Sequence, residues 1–245
     1  MLDVTLTFDN GPEPEVTPAV LDTLAREEVK STFFVLGHKM ADPRPRALAE
    51  RAAKEGHWIG NHTYSHERPL GELAGAAVPK AEIGQTQALL GDLSHPDKLF
   101  RPFGRGGLIG PHLLSPAALR YLKAGGYTCV LWNVIPRDFD DPETWPERAL
   151  DLMRPLPWAL VVIHDLPGGA MAHLNRFIAM VRDTGGPIPP GFSTRLCAAA
   201  GRTRGPADAQ LCRERGGADA TGLGARQGGA SSTPITTRPT GRRRP

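Results

Sequence analysis

The feature that most constrains this chain is one local pattern used six times: a short β-branched or aromatic run followed by a stretch of helical periodicity. "VTLTF" precedes "TPAVLDTLAREE", "STFFVLG" precedes "PRPRALAERAAKE", and "HWIGNH" leads, through a loop, to "VPKAEIGQTQALLGDL". Further on, "LFRPFG" precedes "SPAALRYLKAGG", "YTCVLWNV" precedes "DPETWPERALDLM", and "ALVVIHD" precedes "AMAHLNRFIAMVRD". Thr17-Pro18, Ser115-Pro116 and Asp141-Pro142 read as helix starts, and Gly56 as a stop. Such alternation predicts an α/β fold built on a parallel sheet or barrel. No strand is predicted after Asp183, so a barrel either stays open there or lacks its closing strand.

Composition divides the chain at the same place. Residues 187–245 hold ten Arg, no Lys and three acids, a charge of +7 that leaves −4 on residues 1–186. The last segment is rich in Gly, Pro, Ala and Thr and nearly lacks aromatic residues, so it offers little apolar surface to offset ordering entropy. The sequence therefore predicts one catalytic domain over 1–186 and a disordered tail over 187–245. A solvated extension is favoured over contact of "GRRRP" with nucleic acid or an anionic surface. Cys129, Cys197 and Cys212 have no metal-ligand spacing, and no disulfide scaffold is expected. "MLDVTLTFDN" has neither a basic nor an apolar leader region, and no apolar run approaches the ~18 residues of a membrane span. A cytoplasmic protein is the expectation.

Polar clusters follow five of the predicted strands: Asp9-Asn10, His62 with His66, Arg101, Asp138, and His164-Asp165. Parallel α/β folds place chemistry at the carboxyl ends of strands, where distant segments converge. Each cluster also has a plainer reading. Asp9-Asn10 before Gly11-Pro12 could serve only to form a turn. "HTYSH" sets two imidazoles at i and i+4, on one side of a helical turn where they could grip a divalent metal, but a chance pair of solvated histidines is commoner. His38, His57, His95, His112 and His173 read as structural or exposed.

Taken in order, these segments resemble the motifs of the polysaccharide deacetylase, or NodB-homology, family of carbohydrate esterases, from about Val4 to Asp183. The family's T-F-D-D-G-P is similar to "TFDNGP", which makes Asp9 the general base and puts Asn10 where the metal-binding aspartate stands. H-S/T-x-x-H matches "HTYSH", making His62 and His66 the metal pair. R-P-P-Y-G resembles "RPFG" with one residue missing, so Arg101 would hold the base carboxylate while Phe103 and Gly104 fall at the oxyanion hole. D-x-x-D-W appears as "IPRDF", in which Ile135 replaces the first carboxylate and Asp138 remains. The fifth motif resembles "VVIHD", with His164 as general acid.

The resemblance implies an irregular (β/α) barrel of seven or so units and metal-dependent removal of an N- or O-acetyl group from a carbohydrate. Zinc is the implied metal, with cobalt as an alternative. Asn10 can offer an amide oxygen but no charge, which predicts weaker metal binding and a more electrophilic ion. The alternatives are a hydrolase of this fold acting on another amide with little or no metal, and an inactive carbohydrate-binding relative. Retention of both a base and an acid favours an enzyme. Trp145, Phe139 and Trp58 are candidates for stacking on sugar rings, although each could equally pack in a core.

Overall fold

The computed structural model describes residues 3–186, Ile188 and the backbone of 197–199. Its strands are β1 (Asp3–Asp9), β2 (Thr32–Val35), β3 (Trp58–Asn61), β4 (Leu99–Phe100), β5 (Thr128–Val130), β6 (Trp158–His164) and β7 (Cys197–Ala199). Between them lie α1 (Thr17–Arg26), α2 (Gly37–Met40), α3 (Pro43–Lys54), α4 (Gln85–Leu90), α5 (Pro116–Gly125), α6 (Trp145–Met153) and α7 (Leu174–Asp183). A π-helical turn, Lys80–Gly84, runs directly into α4.

The sheet order is β6-β1-β2-β3-β4-β5-β7, and the first six strands are parallel. β1 and β6 pair along their whole length, from Asp3 opposite Trp158 to Asp9 opposite His164. The curl is nearly closed. Beyond β5 the chain returns to β6, where the Val134 N–H donates to the Leu160 carbonyl at 3.2 Å and the Val162 N–H to the Val134 carbonyl at 3.0 Å. The irregular (β/α) barrel is therefore present with six parallel strands, and one bridge does the work of a longer ladder.

Alternation along each strand sorts side chains between two faces. Val4, Leu6 and Phe8 of β1, Phe33 and Val35 of β2, and Ala159, Val161 and Ile163 of β6 pack outward against Val20, Leu21 and Leu24 of α1 and Phe177, Ile178 and Val181 of α7. The intervening residues, Thr7, Asp9, Phe34 and His164 among them, take the inner face. Gly60 is needed there, because a Cβ would lie 2.6 Å from the Phe34 ring. Among the described residues no helix is long and apolar enough to cross a membrane.

Three local expectations change. Thr17 is not a cap: its hydroxyl donates to Asp165 and accepts from the Glu13 N–H, so α1 starts without side-chain capping. α6 begins at Trp145 rather than at Asp141-Pro142, because Asp141 accepts from the Thr144 N–H and holds a turn ahead of the helix. Beyond Asp183, where no strand was expected, β7 pairs antiparallel with the outer edge of β5 and so extends the sheet rather than closing it. Ile188, also in the segment read as a tail, packs partly buried against the core, and the rest of that segment lies outside the described residues. Ser115 does cap α5 through the Ala118 N–H, as expected.

The apolar clusters that stabilise the barrel draw their buried side chains from Val4 to Val181. A chain ended after Pro190 should therefore still unfold in one cooperative step. Loss of the short β7 ladder should cost about 1–3 kcal/mol, a fall in Tm below about 10 °C, read by circular dichroism. A non-cooperative melt would show that the segment past residue 190 is part of the folding unit.

Candidate active site

β1 and β6 end side by side, which puts Asp9 and His164 on the inner face at one level. His62 follows β3 and Arg101 follows β4, so four strands deliver polar side chains to one mouth. A cleft of about 310 Å³ opens there, lined by Asp9, Asn10, His62, His66, Phe103 and His164 together with Gly104 and the apolar Trp132, Ile135, Phe139 and Leu166.

Arg101 has no exposed surface, so its charge must be met inside the protein. Its Nη1 donates to Asp9 Oδ1 at 2.7 Å and to Thr7 Oγ1 at 2.7 Å, and its Nε donates to the Val130 carbonyl at 3.3 Å. The guanidinium lies 4.0 Å over the Phe34 ring. Asp9 is thereby fixed through one oxygen. Its other oxygen, Oδ2, stands 3.5 Å from His62 Nε2.

His62 Nδ1 lies 2.8 Å from the Arg101 carbonyl. A carbonyl only accepts, so Nδ1 carries the proton and Nε2 presents a lone pair. Burial pushes the His62 imidazole down to about 3, and burial together with His62 pushes His66 down to about 2. Both rings are thus neutral, the state a metal requires. The ring centroids are 4.7 Å apart, and His66 packs against Phe103 at 3.9 Å.

The helical turn expected for "HTYSH" is absent. The pair meets through a loop in which Thr63 (φ 70°) and His66 (φ 54°) adopt the left-handed region. Asn10 also lies there, at φ 73°, a conformation asparagine tolerates better than most residues. It forms the turn, and its Oδ1, shielded from solvent, has no hydrogen-bond partner. Lys39 fixes this turn, donating to the Asn10 carbonyl at 2.8 Å and to Glu13 at 2.7 Å. Among the described residues no three His, Cys, Asp or Glu side chains form a metal-holding group. Two neutral imidazoles and an orphaned amide oxygen, with the Asp9 carboxylate beside them, nevertheless suit one divalent cation in donor chemistry.

At the end of the neighbouring β6, Asp138 is buried and grips His164 twice. Oδ1 lies 2.9 Å from His164 Nδ1, and Oδ2 accepts from the His164 N–H at 2.8 Å. Burial alone would lower the His164 pKa, but the bond and charge of Asp138, aided by Asp9 and Asp165, outweigh it and raise the value above the ordinary 6.5. Loss of the first acid of this motif leaves the histidine's partner in place. Ile135 instead lies against Gly107, where a Cβ would come within 2.3 Å of it.

The description "polysaccharide deacetylase" belongs to the family profile that matches residues 3–130, more than half of the chain. The chain belongs to this family. A peptidoglycan-N-acetylglucosamine deacetylase of Bacillus cereus is 30% identical over 207 residues, covering 78% of this chain and 69% of that protein. A chitooligosaccharide deacetylase of Rhizobium leguminosarum bv. trifolii is 33% identical over 163 residues, covering 66% and 71%. Among solved structures, the peptidoglycan deacetylase PdaC from Bacillus subtilis superposes with a TM-score of 0.61 at 28% identity, covering 76% of this chain and 86% of that one.

Of the aromatic candidates in this polysaccharide deacetylase domain, Phe139 alone lies at the mouth, half exposed and edge-on to His164 at 5.2 Å. Trp145 is wholly buried on α6, and Trp58 packs at a tilt against His95 at the far end of β3. Sequence reasoning missed Trp132, whose Nε1 donates to the Gly107 carbonyl at 2.7 Å beneath the Gly104–Gly107 loop. It also missed what Asp165 does. This buried carboxyl, pushed up to about 7 by burial, packs so closely under Gly11 that a Cβ there would approach it to 2.2 Å.

Replacing Asp138 by Asn removes the charge that opposes burial. The His164 imidazole, followed by NMR titration, should then titrate below 6.5 instead of above it. An unchanged value would mean that Asp9 and Asp165 alone sustain the imidazolium.

Proposed function

We propose that this protein is a hydrolase that removes acetyl groups from an N-acetylated carbohydrate, with Asp9 as general base and His164 as general acid. The observation that carries this reading is the pairing of two differently held titratable groups at one cleft. Asp9 is fixed by a buried guanidinium and His164 by a buried carboxylate, and adjacent strands bring both to the same level. Relatives named for peptidoglycan and chitooligosaccharide substrates support an acetylated amino-sugar polymer as the substrate class.

Asn10, His62 and His66 would hold the divalent cation, for which zinc is the first choice and cobalt the second. When bound, it would supply Lewis acidity to the acetyl carbonyl and lower the pKa of a water. The rest is assigned to protein groups. Asp9, held at Oδ1, would use Oδ2 to accept the proton of the attacking water. The backbone N–H groups of Phe103 and Gly104 would donate to the carbonyl oxygen as it gains charge. His164, oriented through Nδ1, would deliver a proton from Nε2 to the departing amine nitrogen, so that the amine leaves neutral. Trp132, Ile135 and Leu166 give the cleft an apolar lining suited to the acetyl methyl group and poor in competing water.

The test is acetate release from a panel of acetylated chitooligosaccharides and peptidoglycan fragments. Asp9→Asn keeps an acceptor for Arg101 but removes the base, and should lower turnover by about 10²–10⁴-fold. Loss of the counter-charge to the buried guanidinium should also cost about 3–5 kcal/mol, a fall in Tm of about 6–20 °C, so turnover is compared well below the transition. No acetate from any member of the panel, with glycan binding retained, would favour the carbohydrate-binding alternative. Release that is indifferent to metal removal would favour the metal-independent one.

A further inference from the structure

Loop 62–66 brings the two imidazoles together through strained backbone, and something outside the loop has to hold it. β-branched residues avoid the left-handed region, so Thr63 at φ 70° persists only where its surroundings over-determine it. The Gly37 N–H donates to the Thr63 carbonyl at 2.9 Å and the His38 N–H to the Tyr64 carbonyl at 3.1 Å, which satisfies the acceptors. Asn61 Oδ1 takes the Thr63 N–H at 3.0 Å, and Asn61 Nδ2 donates to the Ile83 carbonyl at 2.9 Å.

Three further donors converge on one side chain. Glu82 Oε2 accepts from the Tyr64 N–H at 3.1 Å and the Ser65 N–H at 3.0 Å, and Oε1 accepts from Ser65 Oγ at 2.9 Å. Glu82 sits in the π-helical turn Lys80–Gly84, next to the Ile83 carbonyl that Asn61 grips. A π-turn shifts side-chain direction relative to the following α-helix and is common beside functional sites.

We infer that Glu82 is a positioning residue: through the N–H groups of Tyr64 and Ser65 it sets the separation and facing of His62 and His66. The inference rests on the reading of that pair as metal ligands. Outer groups that orient ligands typically matter 10–100-fold in metal affinity. Glu82 touches neither histidine, so its effect passes through loop geometry.

The experiment is calorimetric titration of the full chain with zinc, alongside amide hydrogen exchange and thermal unfolding of the zinc-free protein. Glu82→Met keeps length but removes both acceptors. It should weaken zinc binding 10–100-fold and accelerate exchange at Tyr64 and Ser65. Glu82→Gln should restore affinity to within about threefold, because its amide oxygen can take both N–H groups while its NH₂ donates to Ser65 Oγ. Ser65→Ala, which removes one contact of three, supplies a milder variant if Glu82→Met does not fold, and should lose a few-fold. If the parent chain binds zinc and Glu82→Met and Ser65→Ala bind it equally well, the positioning role is overturned while the metal pair stands. If the parent chain binds no divalent metal, both readings fall.

Discussion

A positive charge buried at the centre of the barrel organises the whole site. The Arg101 guanidinium is sealed from water, and its position is set by Asp9, Thr7, the Val130 carbonyl and the face of Phe34. Leaving one partner of such a pair alone costs about 3–5 kcal/mol, so neither Asp9 nor Arg101 is free to drift. The same residue acts a second time through its backbone, since its carbonyl fixes the tautomer of His62. The proposed base and the candidate ligand are thus registered to one another through a single position just past β4.

The adjacent end of β6 follows a different electrostatic logic. His164 would lose its proton to burial were it not for Asp138, which bonds both its ring and its backbone. Two titratable groups of opposite charge type, each held by a counter-charge behind it, face a lining that is largely apolar. Ile135 fits this arrangement because the carboxylate missing there is not the one that holds His164. Asn10 is the more consequential departure, since an amide oxygen stands where the family pattern has a charged one.

Much of this was legible in the sequence because both layers of information are local. Strand parity carries Asp9 and His164 to the inner face, His62 lies just past the end of β3, and the order of motifs names their partners. The expected helical turn at "HTYSH" failed because i, i+4 spacing is silent on backbone strain, and Thr63 and His66 take conformations that only tertiary pins sustain. Thr17 looked like a cap for the same reason: a hydroxyl ahead of a proline satisfies the capping pattern, yet Asp165, 148 residues away in sequence, claims it. Glu82 and Trp132 had no signal beyond lying in a helical stretch and in a strand-like run. Their roles depend on which loop comes to rest against them. The short β7 escaped because three residues carry too little periodicity to register.

The account stands or falls on how the "FDN" segment divides its labour, with Asn10 as ligand and Asp9 as base. Zinc titration calorimetry on the parent chain, Asn10→Asp and Asp9→Asn addresses this directly. The account predicts one zinc per chain, affinity about tenfold higher in Asn10→Asp, a gain of about 1.4 kcal/mol from the added charge, and a site that still fills in Asp9→Asn. Unchanged affinity in Asn10→Asp together with lost binding in Asp9→Asn would contradict it, making Asp9 the ligand and leaving the base to be found elsewhere.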